Sequence, residues 1–574
     1  LIGALAGDAL TTGSYNTALG YAALSADDLG SQSVAIGYHA LVAQNYATAT
    51  TSHNVAVGSN AGANISIGTL NTAVGGLALD ADTKGSRSVA IGYAALSNQN
   101  FTTALDSNNT AVGFQAGVNV TVGKSNTFIG TESGEALTDA DFNVAVGQFA
   151  LHQDTLGSKS TAVGYAALNT QNFDTTNLGA TDVYNVAVGH LAGTSITTGV
   201  RNTLIGAEAG DALTEGNNNV ALGAFALGSD TLGDRSVAIG VDALFNQNFT
   251  TDTDTYNTAV GFQAGVTVST GTFNTFIGAF AGDSTDDGNN NVALGYNALS
   301  ANCASENIAI GSSAAVALTG SNNTVIGKGA GLNATSSDNC VIIGHEAAGN
   351  AVLTGNDNIL IGQRAGYDMT SGEDNTIIGD SSGGLGSGSK NVMVGKSLFT
   401  SSGGLDHAII LGNGITAPGN TFSFGKASNV VSNSFTSDAS FSRSSDERLK
   451  KNITDQTLGL DFINDLRTVK YNWKPNDELD SSDPQLAHLR KDKEGRKEDH
   501  EDFDGAVVNQ MNTEATMHNF IAQEVKTALD KAGVSNFGGW SEDQYGVQQV
   551  SREMFVIPLV KAIQELSAKN DALE

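Results

Sequence analysis

The chain has 574 residues, a formal net charge of −31, and a composition with 69 glycines, 6% aromatic and 15% charged residues. Globular proteins average about 7% glycine and about 25% charged residues, so a series of ordinary globular domains is not expected. The acidic balance argues against nucleic acid and anionic membranes as partners, because both attract Lys and Arg. No apolar run approaches the roughly 20 residues that span a bilayer, so no membrane insertion is expected.

A five-residue word recurs from the beginning of the chain. It reads Asn or Ser, Thr or Val, Ala, Val or Ile, Gly, and it ends for example at Gly20, Gly37, Gly58, Gly130 and Gly311. The commonest spacing between successive words is 17 residues. β-Branched residues favour strands, glycine permits the turn that follows, and a fixed period is typical of a solenoid. The sequence therefore predicts a mainly β fold, with a parallel β-roll of about 24 coils and two short strands in each coil.

Both faces of the predicted strands are apolar or small. In the word that ends at Gly37, Val34 and Ile36 lie on one face and Ala35 lies on the other. A single-layer roll has one face inside and one outside, so we expect a second copy of the chain to cover the outer face. The small Ala face is predicted to form this close contact. The pattern favours a homo-oligomer.

Polar residues of the repeat are interpreted as structural. An Asn column is expected to satisfy backbone groups in the turns; its members include Asn16, Asn71, Asn126, Asn202, Asn274 and Asn375. Longer coils carry polar insertions, which either contact a ligand or only decorate the rod; these insertions follow Gln-Asn-aromatic segments that begin at Gln44, Gln99, Gln171 and Gln247. Acids such as Asp27 are interpreted as solvated turn residues, and Cys303 and Cys340 as buried free thiols. No metal and no cofactor is predicted.

The density of charged residues changes near residue 444. Residues 1–444 hold 12 Lys and Arg with 34 Asp and Glu, whereas residues 445–574 hold 16 and 25. This change predicts a β-roll rod over residues 1–412, a β junction over residues 413–444 and a small α+β domain over residues 445–574. Because the first residues already lie inside a repeat, we expect the natural N-terminus to be missing.

The chain ends in a predicted coiled-coil helix. Apolar residues and one Asn recur at alternating spacings of three and four, at Val556, Leu559, Ile563, Leu566, Asn570 and Leu573. This spacing is typical of a coiled-coil seam. β-Branched residues at a with Leu at d mildly favour dimers, so the heptads by themselves do not predict a trimer.

Two parts of the chain resemble known families. The Ser-Val-Ala-Ile-Gly words resemble the β-roll heads of trimeric autotransporter adhesins of the YadA type, which also occur in phage tail fibres. The segments SDERLKKNI, LGLDFINDLRTVKYNWK and HNFIAQEVKTAL, followed by the terminal helix, resemble the intramolecular chaperone auto-processing domain of phage tailspikes, endosialidases and tail fibres. That domain drives trimerisation of a β-structured shaft and then cuts itself off.

The second resemblance implies a set of site residues. The family uses a serine at the cut and a lysine five residues later, which implies Ser445 and Lys450 as the catalytic dyad and the Ser444–Ser445 bond as the cleavage site. Three further residues match the motif without a role that we can derive, namely Asp446, Arg448 and Asn452.

Chemistry is compatible with this dyad. A serine hydroxyl needs a base, and with no His nearby in the sequence the candidates are lysines, which must first be neutral. Lowering the pKa of a lysine from about 10.4 to near 7 costs about 4 to 5 kcal/mol, so the base has to be desolvated or crowded by cations. We expect this burial only after a trimer assembles.

The sequence therefore predicts a self-processed, homotrimeric phage tail fibre that is located in the virion and recognises a host surface glycan or protein. Its only enzymatic activity would be self-cleavage by a Ser-Lys dyad. Two alternatives remain open. A bacterial surface adhesin should carry a secretion signal and its own membrane anchor, and a glycan-degrading tailspike needs a catalytic domain that is not apparent in residues 1–444.

Overall fold

The repeated word forms a short β-strand, and successive words pair in parallel. The computed structural model describes residues 1–173, 181–427, 429–435, 447–474, 478–480, 482–486, 514–543 and 546–573. The chain divides into two units, Leu1–Arg443 and Ser444–Glu574. The first unit is a parallel β-solenoid of about 24 turns, as the sequence predicts.

One 25-stranded sheet runs through the solenoid, and we call it the main ladder. Each strand pairs in parallel with the strand of the next coil, except that the last strand pairs antiparallel with the one before it. The strands are Thr17–Leu19, Val34–Ile36, Val55–Val57, Thr72–Val74, Val89–Ile91, Thr110–Val112, Thr127–Ile129, Val144–Val146, Thr161–Val163, Val186–Val188, Thr203–Ile205, Val220–Leu222, Val237–Ile239, Thr258–Val260, Thr275–Ile277, Val292–Leu294, Ile308–Ile310, Thr324–Ile326, Val341–Ile343, Ile359–Ile361, Thr376–Ile378, Val392–Lys396, Ile409–Asn413, Thr421–Lys426 and Asn429–Ser434.

A second strand forms in only some coils of the described part of the chain, so the prediction of two strands in every coil was wrong. Five parallel pairs of two-residue strands occur: Gly30–Ser31 with Thr50–Thr51, Gly85–Ser86 with Leu105–Asp106, Gly157–Ser158 with Thr181–Asp182, Gly233–Asp234 with Thr253–Asp254, and Phe399–Thr400 with Thr416–Ala417. Four of these pairs lie beside the polar insertions. Elsewhere short turns close the coil instead.

The middle residue of each main-ladder word points into the roll. Ala35 and Ala111 are fully buried within the single chain, whereas the flanking Val34 and Ile36 are half-buried. The prediction that the Ala face contacts a neighbouring chain was therefore wrong. Ala fills the interior because the chain returns close to the strand in every coil, and the branched residues face outward.

The core of the solenoid stays filled although the size of the residue at each core position differs between coils. Several coils place a Leu in the core four residues after the glycine of the word, for example Leu41 and Leu96. In several coils where glycine takes that position, a larger residue of the main ladder fills the space, whereas beside Gly62 the space is filled by Ile65 from the following turn. A Cβ on Gly134 would lie only 2.4 Å from the ring of Phe128, so this ring requires the glycine.

The glycine that ends the word is required by both conformation and contact. Gly113 has φ +147°, and a Cβ there would lie 2.3 Å from the carbonyl oxygen of Gly130 in the next coil. L-residues rarely adopt this conformation. The recurrent glycine therefore allows both the turn and the close stacking of coils.

In its described residues, the second unit combines three α-helices with two antiparallel strand pairs. The helices are α1 (Leu460–Asn464), α2 (Ala522–Lys531) and α3 (Val556–Asp571), and short 3-10 turns span Glu447–Leu449 and Arg552–Phe555. The antiparallel pairs are Val469–Tyr471 with Met517–Asn519, and Trp540–Glu542 with Gln548–Val550. Six buried residues form the core: Leu458, Phe462, Val525, Ala528, Leu529 and Phe555. No helix in the described part of the chain is long and apolar enough to cross a membrane.

The terminal helix is fastened to the start of α1. The carboxylate of Glu565 accepts a hydrogen bond from the backbone N–H of Leu460 at 2.8 Å. A Cβ on Gly459 would lie 2.4 Å from this carboxylate, so a glycine is needed for the approach. The contact joins residues more than 100 positions apart in the sequence.

Candidate self-cleavage site

The predicted base lies directly after a short helical turn. Glu447–Leu449 forms the 3-10 turn, and the backbone N–H of Lys450 donates to the carbonyl oxygen of Glu447 at 3.0 Å. Asn452 has φ +57°, a left-handed conformation that Asn tolerates better than most residues. Asn452 therefore has a local structural role, since it redirects the chain two residues after Lys450.

The single chain leaves this segment accessible to solvent. Arg448, Lys450, Lys451 and Asn452 are all exposed, so the structure brings together the basic part of the motif on one short exposed turn. Ser444, Ser445 and Asp446 lie outside the described residues, so the predicted dyad and cleavage bond stay predictions. The burial that a lysine base requires is not provided by the described residues of one chain.

The two longer C-terminal motifs form the scaffold of the domain. The first supplies α1 and a strand, with Leu458 and Phe462 buried, and the second supplies α2, with Val525 and Leu529 buried. Both motifs contribute to one core although more than 40 residues separate them. The sequence signal for this packing is their apolar spacing.

Ion pairs join the same two motifs at the surface. The guanidinium of Arg467 donates to the carboxylate of Glu524 through two nitrogens, and this pairing lowers the pKa of Glu524. Lys531 Nζ lies 2.7 Å from Asp465 Oδ1. Exposed pairs of this kind contribute little free energy, so they orient α2 rather than hold the domain together.

Comparison with known families agrees with this scaffold. Residues 445–534 match the family described as chaperone of endosialidase. The match begins at Ser445 and covers α1, the first strand pair and α2. No curated protein matches the chain. The chain thus carries a chaperone-of-endosialidase domain at its C-terminal end and a β-solenoid body before it. Such domains are linked to autoproteolytic intramolecular chaperones.

In the rod, buried carboxylates that the sequence interpretation missed lie beside the polar insertions, in the preceding coil. Asp27, which we expected to be solvated, is fully buried, and equivalent buried acids lie at Asp82, Asp154 and Asp230. The signal for this arrangement is an Asp that precedes the Gln of each Gln-Asn-aromatic segment by 17 residues.

Every carboxylate in these clusters accepts several hydrogen bonds. Asp82 accepts from the backbone N–H groups of Gly85 (3.0 Å) and Phe101 (3.2 Å) and from Nε2 of Gln99 (2.6 Å). Gln99 also donates to Ser88 Oγ and accepts from Nδ2 of Asn109 at 2.8 Å. Burial raises the pKa of Asp82. Because the donors are used internally, the cluster is structural, and it anchors the insertion at its buried aromatic residue.

The Asn column is the ladder that the sequence predicts. Nδ2 of Asn126 donates to the carbonyl oxygen of Ala140 at 2.8 Å, and its Oδ1 accepts from the backbone N–H of Asn143 at 2.8 Å. The same pair of bonds recurs at Asn202, several coils further along, so each of these Asn residues joins its coil to the next. Cys303 and Cys340 are buried free thiols, also as predicted.

Proposed function

We propose that this chain is a homotrimeric phage tail fibre whose C-terminal domain guides trimerisation and then releases itself by cutting between Ser444 and Ser445. The observation that carries the proposal is the family match, because it begins at Ser445, the residue after the proposed cut. Lys450 follows five residues later, the spacing that the motif requires.

The proposed cut uses the serine on the C-terminal side of the bond. Ser445 Oγ attacks the carbonyl carbon of Ser444 while Lys450 Nζ accepts the hydroxyl proton. The C–N bond then breaks, and Lys450 returns the proton to the leaving amine of Ser445. An ester now links the two residues, and water hydrolyses it to a carboxyl group on Ser444 and a free hydroxyl group on Ser445.

Trimerisation is supported by apolar surface that the single chain exposes. From Leu19 to Leu411 the fourth residue of each main-ladder word is Val, Ile or Leu, and it faces outward. Ile129 and Leu294 remain 41% and 43% exposed. A continuous apolar column along a rod favours contact with other copies of the same rod, since their columns have the same period.

The terminal helix exposes a second apolar surface. On α3, Leu559, Ile563 and Leu566 are 44%, 65% and 55% exposed, and these residues belong to the predicted coiled-coil seam. Assembly through this seam would bring several copies of the domain together. The exposed Lys450 can then be buried by a neighbouring copy, which would restrict cleavage to assembled molecules.

Mass spectrometry of the expressed full chain tests the cut. Ser445→Ala and Lys450→Ala should each leave a full-length, folded trimer, whereas the neighbouring Ser444→Ala and Lys451→Ala variants should still be cleaved. Hydroxylamine should accelerate cleavage of the wild type and leave a hydroxamate on Ser444, because it attacks the ester. Continued cutting of Ser445→Ala would refute the dyad.

A truncation tests the chaperone role. A chain that ends at Ser444 should misassemble when it is expressed alone, whereas a rod that has been cleaved after assembly should remain folded, because a chaperone is needed only during assembly. Correct assembly of the truncated chain, measured by sedimentation, would contradict this role.

Recognition of a host surface glycan or protein is supported by exposed aromatic residues on the rod. Tyr21 and Tyr38 stack with ring centroids 5.7 Å apart, and Tyr93 stacks on Phe114 at the same distance. Aromatic faces of this kind pack well against sugar rings or apolar side chains. The cleaved rod should bind host cells, and loss of this binding after polysaccharide is stripped from the cells would identify a glycan.

A further inference from the structure

A cluster of side chains on the solenoid surface has the composition of a metal site. Glu132, Glu135 and His152 place their potential ligand atoms within 4.8 Å of one another. It is the one such group of three His, Cys, Asp or Glu side chains in the described part of the chain. Neither the repeat nor the self-cleavage reaction explains it.

The repeat itself brings these three residues together. Glu135 and His152 occupy the same position in adjacent coils, five residues after the glycine of each word. The coils are joined there by the backbone N–H of Ala136, which donates to the carbonyl oxygen of His152 at 3.0 Å. Glu132 lies in the same turn as Glu135. The cluster is therefore built on a rigid ladder and not on a long loop.

The separations between the three potential ligand atoms are close to those expected around one ion. His152 Nε2 lies 2.6 Å from Glu135 Oε2 and 3.7 Å from Glu132 Oε2. Two ligands of one tetrahedral zinc ion lie about 3.3 Å apart when each bond is about 2.0 Å. The observed separations lie on either side of this value, so small rotations of the two carboxylates would suit one ion.

The surroundings favour a cation. The three side chains are only 26–30% exposed, and within the described residues neither Glu pairs with a Lys or Arg. The ring of Phe149 packs edge-on against His152 at a centroid distance of 5.3 Å, which restricts the imidazole. The net charge of −31 adds a field that attracts cations.

A side-chain oxygen without a partner among the described residues lies one coil beyond His152. Asn169 occupies the equivalent position in the coil after His152, and the backbone N–H of Gln153 donates to its carbonyl oxygen at 3.0 Å. Its side-chain Oδ1 is buried and has no hydrogen-bond partner within the part of the chain that the structure describes. Buried amide oxygens are normally satisfied.

We propose that Glu132, Glu135 and His152 bind a first-row divalent transition-metal ion of the zinc class. One imidazole nitrogen and two carboxylate oxygens suit such an ion, whereas the imidazole disfavours Mg²⁺ and Ca²⁺. Three protein ligands leave a further position for water or another donor. The bound ion would link two adjacent coils of the rod.

Calorimetric titration of the full chain with Zn²⁺ tests the proposal. The wild type should bind one ion per chain at this site, and His152→Ala and Glu132→Gln should each weaken that binding at least tenfold, by analogy with the loss of a ligand in other zinc sites. Circular dichroism without zinc should be unchanged, because the three side chains are surface groups. X-ray absorption of the bound zinc should show one imidazole ligand.

A matched variant and a competitor complete the experiment. His345 lies 4.0 Å from Glu346, whose carboxylate is already paired with Arg364, so His345→Ala should leave zinc binding unchanged. A large excess of Mg²⁺ should not displace the zinc. The proposal is overturned if the wild type binds no zinc, if His152→Ala and Glu132→Gln bind it as tightly as the wild type, or if Mg²⁺ displaces it.

Discussion

The rod and the C-terminal unit bury their apolar residues in different ways. The rod repeats one small coil, so each core residue contacts its equivalents in adjacent coils, and the buried column extends from Ala18 to Ile410. The C-terminal unit gathers a core of six buried residues from segments far apart in the sequence. Each part of the rod therefore depends on its neighbours, whereas the C-terminal unit depends on a few long-range contacts.

The largest effect is expected from a charge in the core column of the rod. Ala111→Asp should break the ladder at that coil, because Ala111 is fully buried in the single chain and the carboxylate would have no partner. Ile129→Asp, on the outward face, should leave the coil folded and reduce only assembly. Limited proteolysis and sedimentation separate these outcomes. A folded but monomeric Ala111→Asp would mean that the Ala face contacts another chain.

A smaller effect is expected at the turn glycine. Gly113→Ala should destabilise the rod by about 3 kcal/mol, since the new methyl group meets the next coil in a conformation that alanine avoids. Gly76→Ala is the matched control, because its Cβ would have ordinary contacts at 3.6 Å or more. Denaturant unfolding measures both. Equal stabilities would contradict the role of stacking.

The Asn ladder should contribute somewhat less per residue. Asn126→Ala should cost about 2 to 3 kcal/mol, because the carbonyl oxygen of Ala140 and the N–H of Asn143 lose their buried partners. Asn98→Ala should change the free energy of unfolding by no more than about 0.5 kcal/mol, because its bond to Asn119 is exposed. A similar loss in both variants would show that solvent replaces the ladder bonds.

In the C-terminal unit, one substitution can remove the hydrogen bond between Leu460 at the start of α1 and Glu565 on α3. Glu565→Ala should destabilise the unit by about 1 kcal/mol, because the N–H of Leu460 loses its acceptor. Lys561→Ala removes only an exposed ion pair with Glu565 and should be nearly neutral. Calorimetry of the unit's transition distinguishes the two. If Lys561→Ala destabilises the unit as much as Glu565→Ala does, the ion pair and not the hydrogen bond to Leu460 carries the stabilisation.

The buried acids of the rod and Glu524 of the C-terminal unit should respond to pH with opposite signs. Burial raises the pKa values of Asp82, Asp154 and Asp230, so the protonated forms stabilise the folded rod at low pH, and this contribution is lost as the pH rises through the raised values. Relative to a variant with Asn at all three positions, the wild-type rod should therefore gain stability on acidification. The exposed Asp139→Asn is the control.

The opposite sign is expected for Glu524. Arg467 lowers its pKa, so the pair stabilises the fold above the usual glutamate range, and this contribution is lost as the pH falls through the lowered value. The advantage of the wild type over Glu524→Gln should thus shrink on acidification. The effect should be small, because both side chains are exposed.

The regularity of the rod explains why its fold could be predicted. The residues of a word such as Ser33 to Gly37 predict a strand followed by a turn. The recurrence of the word predicts parallel stacking without any knowledge of distant contacts. The Asn ladder followed from the same columns, because identical residues in adjacent coils must meet. The C-terminal helix α3 was visible for a similar reason, in its spacing of three and four residues.

Which strand face and which acidic side chains are buried could not be predicted from the sequence, because burial depends on the direction in which each coil closes. Alternation showed that Ala35 and Val34 lie on opposite faces, but only the closed coil places Ala inside. Asp27 looked like a turn acid because its partners, Gly30 and Gln44, reach it only when an insertion folds back onto the preceding coil.

The sequence by itself determined the period, the main-ladder strands, the Asn ladder and the boundary in charge density, because each is a local pattern or a repeated one. Only the tertiary structure decided which strand face is buried, that four acids lie inside, and that Glu132, Glu135 and His152 meet. The physical reason is that burial and side-chain clustering depend on the direction in which each coil turns, and no single word of the repeat encodes that direction.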